Sequence, residues 1–252
     1  MVLLRELCAY MDNLLEISLF DDYAPNGLQV EGRTSVKYIV GGVTASLSLL
    51  EAARQRGADA VLVHHGYFWQ GESPRVVGAK RRRMHCLLES GMSLIAYHLP
   101  LDAHPIFGNN AQLATVLGFE TEGRFGPGQK LGYYGRLPEP MSGDALSEVI
   151  ANALGRVPLY IDGNRGRKDI RTIAWCSGAA QDYIEDAARL GVDAYLSGEV
   201  SERTTHVARE EGIAFFAAGH HATERYGVAA MLCHLGEKFG VNYEFIDIDN
   251  PV

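Results

Sequence analysis

The sequence predicts an α/β fold of two duplicated repeats, with mixed or largely parallel sheets flanked by helices. Short apolar runs alternate with helical patterns in both halves of the 252 residues. Two stretches of the first half have matching stretches in the second half, in the same order. Each match lies where a predicted helix is followed by a glycine and then by a predicted strand. Because strand–helix–strand units close as right-handed crossovers, this alternation favours parallel pairing.

The elements of the first half follow from local signals. Gly57 and Gly91 each follow a helical pattern, at the position where a glycine commonly ends a helix. A Pro25-Asn26-Gly27 turn follows the first helix. The predicted helices cover residues 3–19, 46–56 and 81–89, and the predicted strands cover residues 38–40, 60–63 and 93–97.

The middle of the chain has weaker periodicity. Residues 119–170 are richer in Gly and Pro, which predicts a spacer or small insert with one helix over residues 143–154. Before it, Asn109-Asn110 is predicted to be the N-cap of a helix.

The two matching stretches predict an internal duplication. Gly57-Ala58-Asp59-Ala60-Val61-Leu62 matches Gly191-Val192-Asp193-Ala194-Tyr195-Leu196. Residues 85–96 match residues 206–217, because both stretches have His, Glu, Gly and Ala at the same spacing. We therefore predict a first repeat over 1–118, the spacer over 119–170 and a second repeat over 171–252, packed as one unit.

Composition excludes several classes of protein. A net charge of −8 argues against a nucleic-acid-binding surface, and the Lys80-Arg81-Arg82-Arg83 run is interpreted as a solvated face rather than an anion site. The four cysteines are far apart, which excludes zinc ribbons and disulfide scaffolds. There is no signal-peptide pattern and no apolar stretch of about 18 residues, so we expect a cytoplasmic protein that does not enter a membrane.

Histidines and carboxylates follow the predicted strands. His64-His65-Gly66 ends one strand, and two further strands are followed by a histidine with a carboxylate four residues later. These pairs are His98 with Asp102 and His220 with Glu224. Because ligands bind at the carboxyl ends of such strands, and a four-residue spacing puts two side chains on one helix face, the pattern favours a two-metal site.

The donor types indicate the metal. Imidazoles and carboxylates without a thiolate suit Zn, Fe(II), Mn or Co rather than Cu(I) or Ca. The alternative is a hydrogen-bonded polar rim at the sheet edge. Glu199 stands at the repeat position of His65 and is a further candidate near the metals.

Five separated motifs resemble a known family. They are Asp22-Tyr23-Ala24-Pro25-Asn26-Gly27-Leu28-Gln29-Val30-Glu31-Gly32, Val63-His64-His65-Gly66-Tyr67-Phe68-Trp69, His98-Leu99-Pro100-Leu101-Asp102-Ala103-His104, Gly108-Asn109-Asn110 and Gly219-His220-His221-Ala222-Thr223-Glu224-Arg225. Their order, over almost the whole chain, is similar to the short bacterial type of the Nif-three-like dinuclear metal-centre proteins, also labelled "GTP cyclohydrolase 1 type 2 homologue".

The resemblance implies two intertwined α/β repeats, a ligand set and an assembly. It implies two divalent metal ions per subunit held by His64, His65, Asp102, His220 and Glu224, with Glu224 as the bridge, and a toroidal hexamer. His98 would then orient a ligand or relay protons as the catalytic residue.

Two function hypotheses remain. One is a metal-dependent hydrolase acting on a small molecule such as a nucleotide or a related heterocycle. The other is a non-enzymatic metal-binding or regulatory assembly protein. An open coordination position beside a ligand-sized cavity would favour the first.

Overall fold

The computed structural model describes residues 1–163 and 169–252. The strands are β1 (Val2–Leu3), β2 (Gly27–Val30), β3 (Ser35–Val36), β4 (Tyr38–Thr44), β5 (Ala60–His65), β6 (Ser93–Ala96), β7 (Glu120–Phe125), β8 (Gly132–Met141), β9 (Leu159–Ile161), β10 (Ile170–Cys176), β11 (Ala194–Ser197), β12 (Ala214–Ala217) and β13 (Asn242–Phe245). The helices are α1 (Leu4–Leu14), α2 (Leu47–Gln55), α3 (Gly78–Ser90), α4 (Leu99–Ala103), α5 (Asn109–Leu117), α6 (Gly143–Leu154), α7 (Ile184–Leu190), α8 (Glu202–Glu211), α9 (His220–Thr223) and α10 (Arg225–Phe239), and short 3-10 helices cover Ile17–Leu19 and Gln181–Tyr183.

The chain forms two compact units. The first comprises Met1–Phe107 and Gly227–Asp249, and the second comprises Gly108–Tyr226 and Asn250–Val252. Among the helices of the described residues, none has the length and apolar character needed to cross a bilayer.

The first unit is built on a sheet with the strand order β13-β4-β5-β6-β2. β13, β4, β5 and β6 run parallel, and β2 pairs antiparallel with β6. Along β5, Ala60 and Leu62 pack into one apolar cluster whereas Val61 and Val63 pack into another. Because side chains alternate along a strand, both faces of β5 are covered, which explains its continuous apolar run.

The second unit is built on a sheet with the strand order β7-β8-β10-β11-β12-β9. β10, β11 and β12 are parallel, and the other pairs are antiparallel. Its main core contains Trp175, Leu196 and Phe216 from these three parallel strands. The predicted α/β class, with helices beside mixed sheets, is confirmed.

The matched repeat stretches adopt the same local structure. Asp59 accepts hydrogen bonds from the backbone N–H groups of residues 37 and 38, and Asp193 accepts them from those of residues 171 and 172. The glycines that end the preceding helices, Gly57 and Gly191, have φ values of 72° and 75°. Each aspartate thus ties the start of one parallel strand to the start of its neighbour.

The compact units are not bounded as the predicted repeats are. Residues 119–170, predicted as a spacer or small insert, supply β7, β8 and β9, and β8 pairs directly with β10. At the other end of the chain, β13 pairs with β4 in the first unit. Each compact unit collects strands that pair with one another, whereas each predicted repeat collects residues that are consecutive in sequence. The repeat boundaries stay a prediction.

Two local predictions need correction. The first helix ends at Leu14 rather than near residue 19, because Glu16 adopts a left-handed conformation before the short 3-10 helix. Asn109 and Asn110 are the first residues of α5 and are buried, and its N-cap is Gly108. The Asn110 side chain does not cap the helix but accepts a hydrogen bond from the Ser177 backbone N–H.

Candidate metal centre

The histidine pair of the first unit lies at the end of β5. His64 is fully buried, and its Nδ1 lies 2.9 Å from the carbonyl oxygen of Tyr97. A carbonyl only accepts, so Nδ1 carries the proton and Nε2 keeps its lone pair for a cation. His65 Nδ1 lies 3.2 Å from Thr44 Oγ1 on the neighbouring strand.

Gly66 ends this strand where a side chain has no room. A Cβ there would lie 2.2 Å from Gln29 Oε1 and 2.6 Å from Ala96 Cβ. The close approach explains why the polar pair is followed by a glycine.

Asp102 brings a carboxylate to His64. It is buried on α4, and its Oδ1 lies 3.6 Å from His64 Nε2. That separation exceeds a hydrogen bond. Two donors each about 2.1 Å from one cation lie about 3.4 Å apart at a tetrahedral angle, so this spacing suits a shared metal ligand pair.

His98 is held in place by the loop that follows α1. Its Nδ1 lies 2.7 Å from Asp22 Oδ1, and its backbone N–H donates to Asn26 Oδ1 at 2.7 Å. The Trp69 ring meets it edge-on, with centroids 4.9 Å apart. His98, His64 and His65 each have a ring nitrogen that lies within 4.8 Å of the other two. These three histidines form a group that could hold a metal ion.

The partner of His98 is an ionised carboxylate. Burial would raise the pKa of Asp22, but the hydrogen bond and charge of His98 lower it, assisted by hydrogen bonds from Asn26 and the Leu99 backbone. The net result is a pKa below the usual value for aspartate. Asp22 therefore fixes both the orientation and the tautomer of the imidazole.

The second unit contributes His220 and Glu224. His220 Nδ1 lies 2.7 Å from Glu199 Oε1, and His220 Nε2 lies 3.1 Å from Glu224 Oε2. Glu224 is 3% exposed, so its carboxylate is removed from water. A carboxylate on one imidazole nitrogen and a second beside the other is the arrangement in which an outer carboxylate orients a metal-binding histidine.

The charges around His220 favour a cation. Burial would lower its pKa, but hydrogen bonds and charge from Glu224 and Glu199 raise it to about 9. In the metal-free protein the two carboxylates thus stabilise a positive charge at the imidazole. A divalent ion bound here would compete with that proton, because metals bind neutral imidazole.

Gly178 makes the space that these donors occupy. It has φ +65°, and a Cβ there would lie 2.2 Å from Glu224 Oε1 and 3.2 Å from His220 Nε2. Its carbonyl accepts from the backbone N–H of Glu199, so the same turn also positions the residue that orients His220. The Asn110 side chain holds the preceding residue by accepting from the Ser177 backbone N–H at 2.8 Å.

The predicted ligands fall into two sets, one in each unit. His64, His65 and Asp102 meet in the first unit together with the predicted relay His98, and His220 meets Glu224 in the second. Sequence reasoning missed the roles of Asp22, Asn110 and Gly178. The quoted motifs contain the first two, but no local pattern in the sequence indicates Gly178.

Comparison with known proteins agrees with the resemblance in the motifs. The family model described as Duf34/NIF3 (NGG1p interacting factor 3) matches residues 2–251. The chain belongs to the Duf34/NIF3 family. A relative from Pseudomonas aeruginosa, named "GTP cyclohydrolase 1 type 2 homolog", is 55% identical over 252 residues and covers 99% of each chain.

Two solved structures are similar to this Duf34/NIF3 chain over its whole length. Protein ybgI, described as a structural-genomics target of unknown function, is 49% identical with a TM-score of 0.96 and 100% coverage of both chains. TTHA1606 from Thermus thermophilus is 31% identical with a TM-score of 0.89 and the same coverage. In the present chain, the imidazole and carboxylate groups described above could hold a metal ion.

Proposed function

We propose that this Duf34/NIF3 protein holds two divalent metal ions through His64, His65, Asp102, His220 and Glu224, and hydrolyses a nucleotide or a related heterocycle. One observation supports it above all. In each unit a histidine has its Nδ1 on a fixed acceptor while its Nε2 lies close to a buried carboxylate. Such pairs suit Zn, Fe or Mn.

The chemistry divides between the metals and the chain. When bound, two cations supply a water of lowered pKa and an electrophile for the group attacked. His98 is proposed to move protons, because Asp22 fixes its Nδ1 and leaves Nε2 to accept or deliver one. Trp69 packs against the ring and restricts its rotation.

The assembly is part of the same proposal. From the family resemblance we propose a closed ring of six copies, the toroidal hexamer, in the cytoplasm. The proposed substrate class, a nucleotide or a related heterocycle, follows the name of the relatives, "GTP cyclohydrolase 1 type 2 homolog".

The test is a turnover screen on metal-loaded protein. Metal content is measured by mass spectrometry on protein from its own host, and nucleotides and heterocycles are then incubated with it and followed by chromatography. We expect hydrolysis that is absent in Asp102→Asn prepared identically, which controls for contaminating hydrolases. Full metal occupancy with no turnover of any compound would instead favour the non-enzymatic metal-binding or regulatory assembly.

A further inference from the structure

An open cleft lies beside His98 in the first unit. It has a volume of about 480 Å³, and its walls include Phe20, Asp21, Asp22, Tyr23, Phe68 and Gln70. Asp22 belongs both to this cleft and to the hydrogen bond with His98. A molecule in the cleft therefore lies one side chain away from the proposed proton relay.

Two aromatic rings on the cleft are exposed to solvent. Tyr23 is 61% exposed and Phe68 is 42% exposed. Phe68 is also a non-glycine residue with φ +66°, a conformation that costs free energy and tends to occur at binding sites. Exposed rings are surfaces on which a planar π system stacks.

The loop that carries Phe68 is braced in this conformation. Glu72 Oε2 accepts from the backbone N–H groups of Phe68 and Trp69 at 3.0 and 3.2 Å. Lys80 pairs with Glu72 at 3.1 Å and lies 5.4 Å from the centre of the Phe68 ring. The ring is thus held in position before any ligand binds.

The two walls of the cleft are tied together. The Gln70 backbone N–H donates to the Tyr23 carbonyl at 2.6 Å. The Gln29 side chain donates to the carbonyls of Pro25 and Tyr67 and accepts from the Tyr67 backbone N–H at 2.7 Å. A cleft formed in advance binds a ligand with little cost in ordering.

The polar groups on the cleft favour a ligand that donates hydrogen bonds. Within residues 1–163 and 169–252, the side chains of Asp21 and Gln70 make no hydrogen bond or ion pair, although both line the cleft. A carboxylate presents two acceptors side by side, which match two adjacent N–H donors. The negative charge of Asp21 and Asp22 disfavours a phosphate in the same place.

We infer that this cleft binds the organic part of the substrate, a planar nitrogen heterocycle with two adjacent N–H donors, an inference that rests on the proposed function. The ring stacks on Tyr23 or Phe68, and its N–H edge donates to Asp21. Guanosine has this edge, whereas inosine lacks the exocyclic amino group and offers one donor fewer.

The test is the binding of guanosine and inosine to the full-length, metal-loaded protein, measured by ligand-observed NMR. We expect inosine to bind about tenfold more weakly than guanosine, and Asp21→Asn to weaken guanosine by about tenfold. Phe68→Leu is expected to weaken it by about fivefold, since stacking is lost. The matched controls are Glu51→Gln on α2 and Tyr243→Leu, a ring 44% exposed on β13, and neither should change binding.

The outcomes separate this inference from the metal proposal, because metal content is measured on the same samples. No guanosine binding up to its solubility, or equal binding by the parent and Asp21→Asn, overturns the cleft assignment while the metal centre stands. Guanosine binding that depends on Asp21 in a protein that never retains metal supports the cleft and overturns the proposed hydrolase.

Discussion

Glu199 Oε1 lies 2.7 Å from Nδ1 of His220, the same distance that separates Asp22 Oδ1 from Nδ1 of His98. Each histidine stands four residues before a proposed metal-ligating carboxylate. The two units therefore contain the same device, in which an outer carboxylate fixes an imidazole whose other nitrogen is left for a cation or a proton.

Glu199 is predicted to set the metal affinity without binding the metal. Glu199→Ala should weaken metal binding by about 10- to 100-fold, because His220 loses its orienting partner. Glu199→Gln keeps an acceptor for Nδ1 and should lose less. Titration with a competing chelator measures both. The control is Glu202→Ala, which removes the carboxylate of the exposed Glu202–His206 pair, and equal losses in Glu199→Ala and this control would contradict the assignment.

Gly178→Ala is predicted to displace the Glu224 carboxylate. The new Cβ would lie 2.2 Å from Glu224 Oε1, so metal content should fall markedly. Gly191→Ala is a matched control, because its φ is +75° and a Cβ there meets nothing within 4 Å. Both variants should be destabilised by about 1 kcal/mol or more through the unfavourable φ. Unchanged metal content in Gly178→Ala would show that the donors do not need this space.

His98→Ala is predicted to lower turnover by about 10²-fold while both metals stay bound, as expected for the loss of an acid–base group. Asp22→Asn should act in the same direction, because Asp22 orients the ring. His85→Ala, at an exposed histidine on α3, is the control. If metal is lost from His98→Ala, then His98 is a ligand, in keeping with its position near His64 and His65.

The hexamer is tested by light scattering at micromolar concentration. We expect a mass close to six times the chain mass of 27.6 kDa. A mass near that of the single chain would contradict the closed ring.

Much of the site could be predicted because its residues follow strands in recognisable patterns. The His64-His65-Gly66 triplet ends β5 as predicted, and both i, i+4 pairs follow their strands. Partners distant in sequence could not be predicted from local pattern. Asp22 is 76 residues from His98, and Asn110 is 67 residues from Ser177, so only the folded chain brings them together.

The middle of the chain shows why weak periodicity misleads. In β8, a Cβ at Gly135 would lie 1.8 Å from the Glu120 carbonyl oxygen, and a Cβ at Gly132 would lie 2.4 Å from the Phe125 ring. Close pairing with β7 therefore requires glycine at these positions. The same glycines remove the side chains whose alternation would have indicated a strand.

The most direct test of the account is the metal content of Glu224→Gln, measured by mass spectrometry beside the parent and the exposed control Glu211→Gln. We predict two metal ions per chain in the parent and in the control, and a content well below that in Glu224→Gln, because a carboxamide is a poorer ligand for two cations. Full retention of both metals in Glu224→Gln would contradict a bridging role for Glu224.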